Sequence, residues 1–231
     1  MKALITGSTS LVGIEIAKIL AKNNIDLILH YHNKEDIALN LKKELESIVN
    51  VEIVKCDLSK KDELDKLIKY DVDILINNAA LDKPDIFDNK NIDDFKEILD
   101  VNLIAPFYLS KELGKKMYEK KYGKIINISS TNGIDTNFPM CIDYDASKAA
   151  LISLTHNLSL QFKPYVNVNA IAPGTLDTEQ LDDDFKKQEE EKIYKERFGK
   201  PIEVAYLVEF LISDKADYIN NQVIRIDGGI Y

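Results

Sequence analysis

Short apolar runs alternate with segments of helical period along the whole chain, and no other feature restricts the fold as strongly. The runs at 2–6, 25–31, 51–55, 72–77, 123–129, 165–171 and 222–226 are rich in Ile, Leu and Val. Such runs suit strands covered on both faces, whereas a half-exposed strand alternates apolar with polar residues. The stretches near 11–23, 35–48, 60–69, 91–120, 143–163 and 201–213 instead space their apolar residues as amphipathic helices do. Ser59 and Asp93 are expected helix caps, and Pro201 suits a first helical turn. Strands that return in the same direction through a helix build a parallel sheet with helices on both faces. The expected fold class is therefore α/β: a single-domain, Rossmann-type, doubly wound parallel sheet of about seven strands. No repeat, low-complexity tract or linker divides residues 1–231.

Composition narrows the function classes. At 231 residues, 45% hydrophobic and 30% charged, the chain has the profile of a globular protein with a sizeable core. Its net charge of −9 argues against nonspecific nucleic-acid binding, and its lysines are interspersed with Asp and Glu. No apolar run is long enough to span a bilayer, so no membrane association is expected. The first run meets a turn signal at Gly7 and reads as a buried strand, not a signal peptide. Cys56 and Cys141 show neither CxxC spacing nor a disulfide framework, so a cytoplasmic location is expected. No His/Cys cluster suggests a metal site.

In an open parallel sheet, ligands bind beyond the carboxyl ends of the strands. There the sequence places Thr6-Gly7-Ser8-Thr9-Ser10, Asp57-Leu58, Asn77-Asn78-Ala79-Ala80, Ser129-Ser130-Thr131-Asn132-Gly133 and Pro173-Gly174-Thr175, all along one rim. Tyr144 and Lys148, four apart on one helix face, are the pair suited to proton transfer. A neighbouring ammonium favours the phenolate of a tyrosine whose ordinary pKa is about 10. With 11 Tyr and 30 Lys plus Arg, roughly one pair at this spacing arises by chance, so its weight comes from its surroundings. Ser130, upstream on the same rim, offers a hydroxyl to orient a substrate oxygen.

Gly7 and Gly13 flank the turn from the first strand into the first helix, whose N–H groups and dipole suit a pyrophosphate. With this loop the chain resembles the short-chain dehydrogenase/reductase family, including its 3-oxoacyl-carrier-protein reductase-like members. Thr6, Gly7 and Gly13 match the family's Thr-Gly-x-x-x-Gly-x-Gly loop, but Leu11 stands where the middle glycine is usual. Asn77-Asn78-Ala79-Ala80 resembles Asn-Asn-Ala-Gly, with Ala80 replacing the glycine. Asn102, Ser130, Tyr144 and Lys148 match the catalytic tetrad, and Val223 to Gly229 the last strand and its turn.

The resemblance implies hydride transfer between a nicotinamide and a carbonyl or alcohol carbon, with Asn102, Ser130, Tyr144 and Lys148 catalytic. Cofactor binding would fall to Gly7, Ser8, Thr9, Ser10, Leu11, Val12 and Gly13, to His32, to Asp57 and Leu58, and to Asn78 and Ala79. Tyr144 and Lys148, with Pro173, Gly174, Leu176 and Thr178, would complete it. The second strand ends in His30-Tyr31-His32-Asn33-Lys34 with no acidic residue to bind a ribose 2′-hydroxyl, so NADP(H) is favoured, with NAD(H) possible. Residues 175–199, strongly charged with spaced Leu181, Phe185, Ile193, Tyr194 and Phe198, would be a mobile substrate lid. Excess apolar residues on helices 91–120 and 143–163 suggest a homodimer or homotetramer. The alternative is a cofactor-binding sensor or scaffold with little turnover, which Leu11 and Ala80 motivate.

Overall fold

The computed structural model describes residues 1–177 and 183–230, with the side chains of 183–185 outside the description. Among these residues, strands β1 (Lys2–Ile5), β2 (Asp26–Tyr31), β3 (Val51–Lys55), β4 (Ile74–Asn77), β5 (Gly123–Ile128), β6 (Val166–Pro173) and β7 (Val223–Ile226) form one sheet. Their order is β3-β2-β1-β4-β5-β6-β7, and every pairing is parallel. The seven-stranded parallel sheet expected from the apolar runs is thus present.

Alternate residues of each central strand feed opposite layers, as the period of two requires. Ala3 and Ile5, Leu27 and Leu29, and Ile74 and Ile76 join one buried cluster with helices α1 (Leu11–Lys22), α2 (Glu35–Leu45) and α8 (Pro201–Ile212). Leu4, Ile28 and Leu75 join the other. That second layer contains the short α3 (Lys61–Leu64), α5 (Ala105–Glu119) and α6 (Ile142–Gln161). Each fully buried Leu or Ile contributes about 1.5–3 kcal/mol relative to exposure, so neither layer is dispensable.

The remaining α-helices among the described residues are α4 (Ile92–Leu99) and α7 (Asp183–Glu190). Three local expectations need correction. The segment expected as one helix over 91–120 is α4 and α5 joined by a π turn at Asp100–Ile104. Pro106 explains the break, because it has no N–H to give the Asn102 carbonyl four residues back. Asp93 is not the cap of α4: extended Asn91 accepts from the Asp93 and Asp94 N–H groups, and Asp93 sits in the first turn. The helix expected over 60–69 shrinks to α3, with Lys60 at its N-cap position and Ser59 turned back to donate to Asp57 (2.7 Å).

The strand order reverses direction between β1 and β4. The loops leaving these neighbouring strands diverge there and open a crevice at their carboxyl ends.

Candidate active site

The loop from β1 to α1 is shaped by two glycines. Gly7 has φ +62°, and a Cβ there would lie 2.8 Å from the Ala79 Cα. A Cβ on Gly13 would lie 2.4 Å from the Gly7 carbonyl oxygen, so a side chain at either position would displace backbone. Ser10 caps α1 by accepting from the Gly13 N–H (3.0 Å), leaving those of Leu11 and Val12 without an intrahelical acceptor. Leu11 does not share Gly7's need. It opens α1 with φ outside the left-handed region, and its side chain is 53% exposed toward the cleft. What a glycine would provide at position 11 is therefore space for a ligand, not backbone freedom.

Asn78 stitches the β4 loop onto this turn. Its Nδ2 donates to the carbonyls of Thr6 (2.9 Å) and Gly7 (3.0 Å), and Thr6 Oγ1 accepts from the Asn78 and Ala79 N–H groups. Buried His30 braces the turn from the other side. The Gly7 N–H donates to His30 Nδ1 (3.0 Å), so the proton sits on Nε2, which donates to the Cys56 carbonyl (3.0 Å). Burial brings this histidine down to about 4, against the bond to Cys56, which raises it. A neutral ring thus ties together the ends of β1, β2 and β3.

Two cavities meet over this turn, sharing Ser10 and Ala80. One, about 480 Å³, lies over β2 and β3 and is lined by Gly7, Thr9, His32, Asn33, Lys34, Asp57, Leu58 and Ala79. The other, about 610 Å³, lies over β5 and β6 and contains Leu11, Val12, Asn78, Ser130, Tyr144, Lys148, Pro173, Gly174 and Leu176. Ser8 is buried and donates to the His30 carbonyl (3.0 Å), so it shapes the loop from below. Asp57 accepts from the N–H and hydroxyl of Ser59 and pairs with Lys60 (2.9 Å). Burial opposes its ionisation, but these partners outweigh it and hold the carboxyl at about 2. Thr178 lies outside the described residues. The end-to-end cleft and its glycine cradle fit a dinucleotide.

In the second cavity Lys148 is fully buried on α6, its Nζ donating to the Ile128 carbonyl (2.8 Å) and lying 5.4 Å from the Tyr144 ring centre. Burial lowers it to about 8, Asp82 opposing. The expectation that this lysine holds the Tyr144 phenol below its ordinary range is not met. Burial and then the Asp82 carboxylate push the phenol up, against a hydrogen bond with Ser130 that lowers it. An ammonium at ring-centre distance, already bonded to a carbonyl, is outweighed by desolvation. The phenol is thus held protonated, ready to donate.

Asn102, buried in the π turn, does not reach into the cavity. Its amide clasps Leu81, accepting from the Leu81 N–H (2.7 Å) and donating to its carbonyl (2.9 Å). It also donates to Ser147 Oγ (3.0 Å), which donates to the Tyr144 carbonyl (2.6 Å). A second clamp is the buried ion pair of Lys90 and Asp143, at 2.8 and 2.9 Å, with Lys90 also donating to the Lys83 carbonyl (2.6 Å). His30, Asp82, Ser147 and this ion pair are site residues that the motifs of the sequence do not mark. Only His30 carried a usable signal, as a histidine inside an apolar strand; Lys90 and Asp143 lie 53 residues apart.

A proton-donating cluster and a phosphate-suited helix terminus share one crevice at the switch point, the arrangement of a dinucleotide-dependent oxidoreductase. A family model described as "Enoyl-(Acyl carrier protein) reductase" matches residues 7–231. The 3-oxoacyl-[acyl-carrier-protein] reductase FabG of Rickettsia prowazekii is 38% identical over 234 residues, covering 99% of this chain and 95% of its own. A solved 4-hydroxyisoleucine dehydrogenase complexed with NADH superposes with a TM-score of 0.91 at 31% identity, covering 99% of this chain and 97% of that one. A solved 3-oxoacyl-[acyl-carrier protein] reductase from Brucella melitensis gives 0.92 at 26% identity, covering 100% and 91%. The chain belongs to the short-chain dehydrogenase/reductase family. It is an NAD(P)(H)-dependent oxidoreductase acting at a carbonyl or alcohol carbon. The non-catalytic reading gains no support, since each of these relatives is named for a reaction.

Proposed function

We propose that the protein reduces a carbonyl to an alcohol, with Tyr144 as general acid and Ser130 orienting the carbonyl oxygen. The observation that carries this reading is the placing of Ser130, Tyr144 and Lys148 on one cavity, continuous with the glycine-loop cavity. A bound nicotinamide supplies the hydride. The loop from Gly7 to Gly13 would hold its pyrophosphate, with Asp57 and Leu58 near the adenine and Pro173, Gly174 and Leu176 beside the nicotinamide. Tyr144 delivers its phenolic proton to the oxygen as charge develops there, and Ser130 hydrogen-bonds the same oxygen. Lys148, as an ammonium, would stabilise the tyrosinate left behind, and it is the residue that would hold the ribose of a bound cofactor. Asn102 is a positioning residue, acting through Leu81 and through Ser147 on Tyr144.

Tyr144→Phe tests this. The expected result is a fall in kcat of about 10³-fold or more with cofactor affinity nearly unchanged. Retained turnover would overturn the assignment.

NADP(H) is the favoured cofactor, because His32, Asn33 and Lys34 line the adenosine cavity after β2 and no carboxylate stands in that turn. Fluorescence titration with both reduced cofactors distinguishes them. Residues 175–199 are read as the substrate cover of a single dinucleotide-binding domain. In support, the Gly199 N–H donates to the Thr175 carbonyl (3.0 Å) and the Asp177 N–H to that of Gly199 (2.7 Å), closing the segment at its base. Ile193 and Phe198 are buried, while Tyr194 is exposed. A homodimer or homotetramer is proposed from the exposed Ile104, Phe107, Tyr118, Ile142 and Leu160 on and beside α5 and α6. A reducing cytoplasm suits the two free, buried thiols. No helix of the described residues is long and apolar enough to cross a membrane.

A further inference from the structure

Asp82 is a carboxylate on the wall of the catalytic cavity that no step of the proposed reaction uses. Its place is built by its neighbours. Leu81 is held through both its N–H and its carbonyl by Asn102, and Lys83 is held through its carbonyl by Lys90. The backbone on either side of Asp82 is therefore held in place, and the residue itself is exposed to the cavity. Among the described side chains lining the cavity, only Asp82 and Lys148 carry a formal charge. The Lys148 ammonium lies fully buried and donates to Ile128, whereas Asp82 faces the open volume. Among the described residues its carboxylate accepts from the Lys83 backbone N–H and, at 3.5 Å, from Cys141 Sγ, both neutral donors. Burial raises both acids, the Cys141 thiol to about 12, so the thiol stays a neutral donor and offers the carboxylate no cation. Lys90 is bound to both oxygens of Asp143, leaving Asp82 with only its long-range field.

Resting on the reading of this cavity as the carbonyl site, we propose that Asp82 is a specificity-determining residue. It selects substrates that carry an ammonium or another cationic nitrogen close to the reacting carbonyl, and disfavours those that carry a carboxylate there. A carboxylate that faces the cavity with neutral donors but no bonded cation attracts a cation and repels an anion of the same size, so discrimination comes from attraction and repulsion together. A substrate ammonium would give Asp82 a bonded cation, which no described side chain supplies. Its reach to the carbonyl is short, because Asp82 shares the cavity wall with Ser130 and Tyr144 and its field is felt at the Tyr144 phenol.

The test compares three substrates of equal chain length: an amino ketone, the corresponding hydroxy ketone, and the corresponding 2-oxo acid. The readout is the ratio of kcat/KM between them, for the wild type, Asp82→Asn and Asp82→Glu, whatever the overall rates. The wild type is expected to prefer the amino ketone to the hydroxy ketone, and Asp82→Asn to lower that ratio by about tenfold. The same variant should raise the relative rate of the 2-oxo acid, and Asp82→Glu should keep the wild-type order. Equal ratios in wild type and Asp82→Asn would overturn the proposal, since a purely structural role for Asp82 would change all three substrates alike. If the wild type reduces none of the three while binding reduced cofactor, the carbonyl-reduction reading falls with it. If the hydroxy ketone alone is reduced, that reading stands and this inference fails.

Discussion

Tyr144 needs its proton at the start of a reduction, and burial on α6 keeps it there. The opposite holds one turn away, where the same burial loosens the proton of Lys148. With Lys148 near 8, the rate of carbonyl reduction is expected to fall as pH rises through about 8, because the neutral amine no longer stabilises the tyrosinate. Lys148→Arg, which stays charged, should move that limb to higher pH in a kcat/KM profile. Leu11 is the other residue with a measurable consequence. Its backbone has no need of glycine, so Leu11→Gly should tighten reduced-cofactor binding several-fold, read by fluorescence titration, while lowering stability by up to about 1 kcal/mol in α1. His30 bears on stability rather than chemistry. Its folded value of about 4 lies below the ordinary 6.5, so the unfolded chain binds the extra proton between those values. The stability it contributes is complete above 6.5 and is lost as pH falls toward 4. His30→Asn, which does not titrate, should flatten the acid side of a urea-denaturation series by roughly 3 kcal/mol.

At the scale of elements, the catalytic face is set by contacts between segments far apart in sequence. The π turn at Asp100–Ile104 places Asn102 under the β4–α4 loop, and Lys90 fastens the other end of that loop to α6 at Asp143. Asp143 also accepts from the Tyr144 N–H (3.0 Å), so the ion pair adjoins the general acid's own backbone. Removing one charge leaves the other buried without a partner, a loss of about 3–5 kcal/mol. Asp143→Asn is therefore expected to lower the urea midpoint strongly, and the Lys90→Met, Asp143→Leu double variant to recover part of that loss. Recovery would be absent if the two side chains acted independently.

At the scale of the whole molecule, the sheet is closed above and below by helices, but α5 and α6 keep apolar side chains on their outer surface. Phe107 is 44% exposed and Leu160 58%. Light scattering is expected to give a mass of at least twice the 26.3 kDa chain, and Phe107→Glu to shift it toward the monomer. A monomeric wild type would contradict that assembly.

Periodicity alone determined most of the architecture, since continuous apolar runs separated by helical stretches leave a parallel sheet with two covered faces as the economical solution. It did so because the information is local: one strand or one helix shows its buried residues in its own spacing. Motif order along the rim likewise carried the family and pointed to Ser130, Tyr144 and Lys148. Segment ends were less legible, as α3 and the Asn91 cap demonstrate, because a cap depends on one residue's backbone conformation. What only the tertiary structure decided is the electrostatics of the site. Spacing said that Lys148 stands beside Tyr144; burial decided that the phenol is raised and the amine lowered. Asp82 lines the cavity from a loop whose backbone is clamped by Asn102 and Lys90, contacts that no local pattern announces. Desolvation and long-range hydrogen bonding depend on which segments meet, and the chain's own periodicity is silent on that.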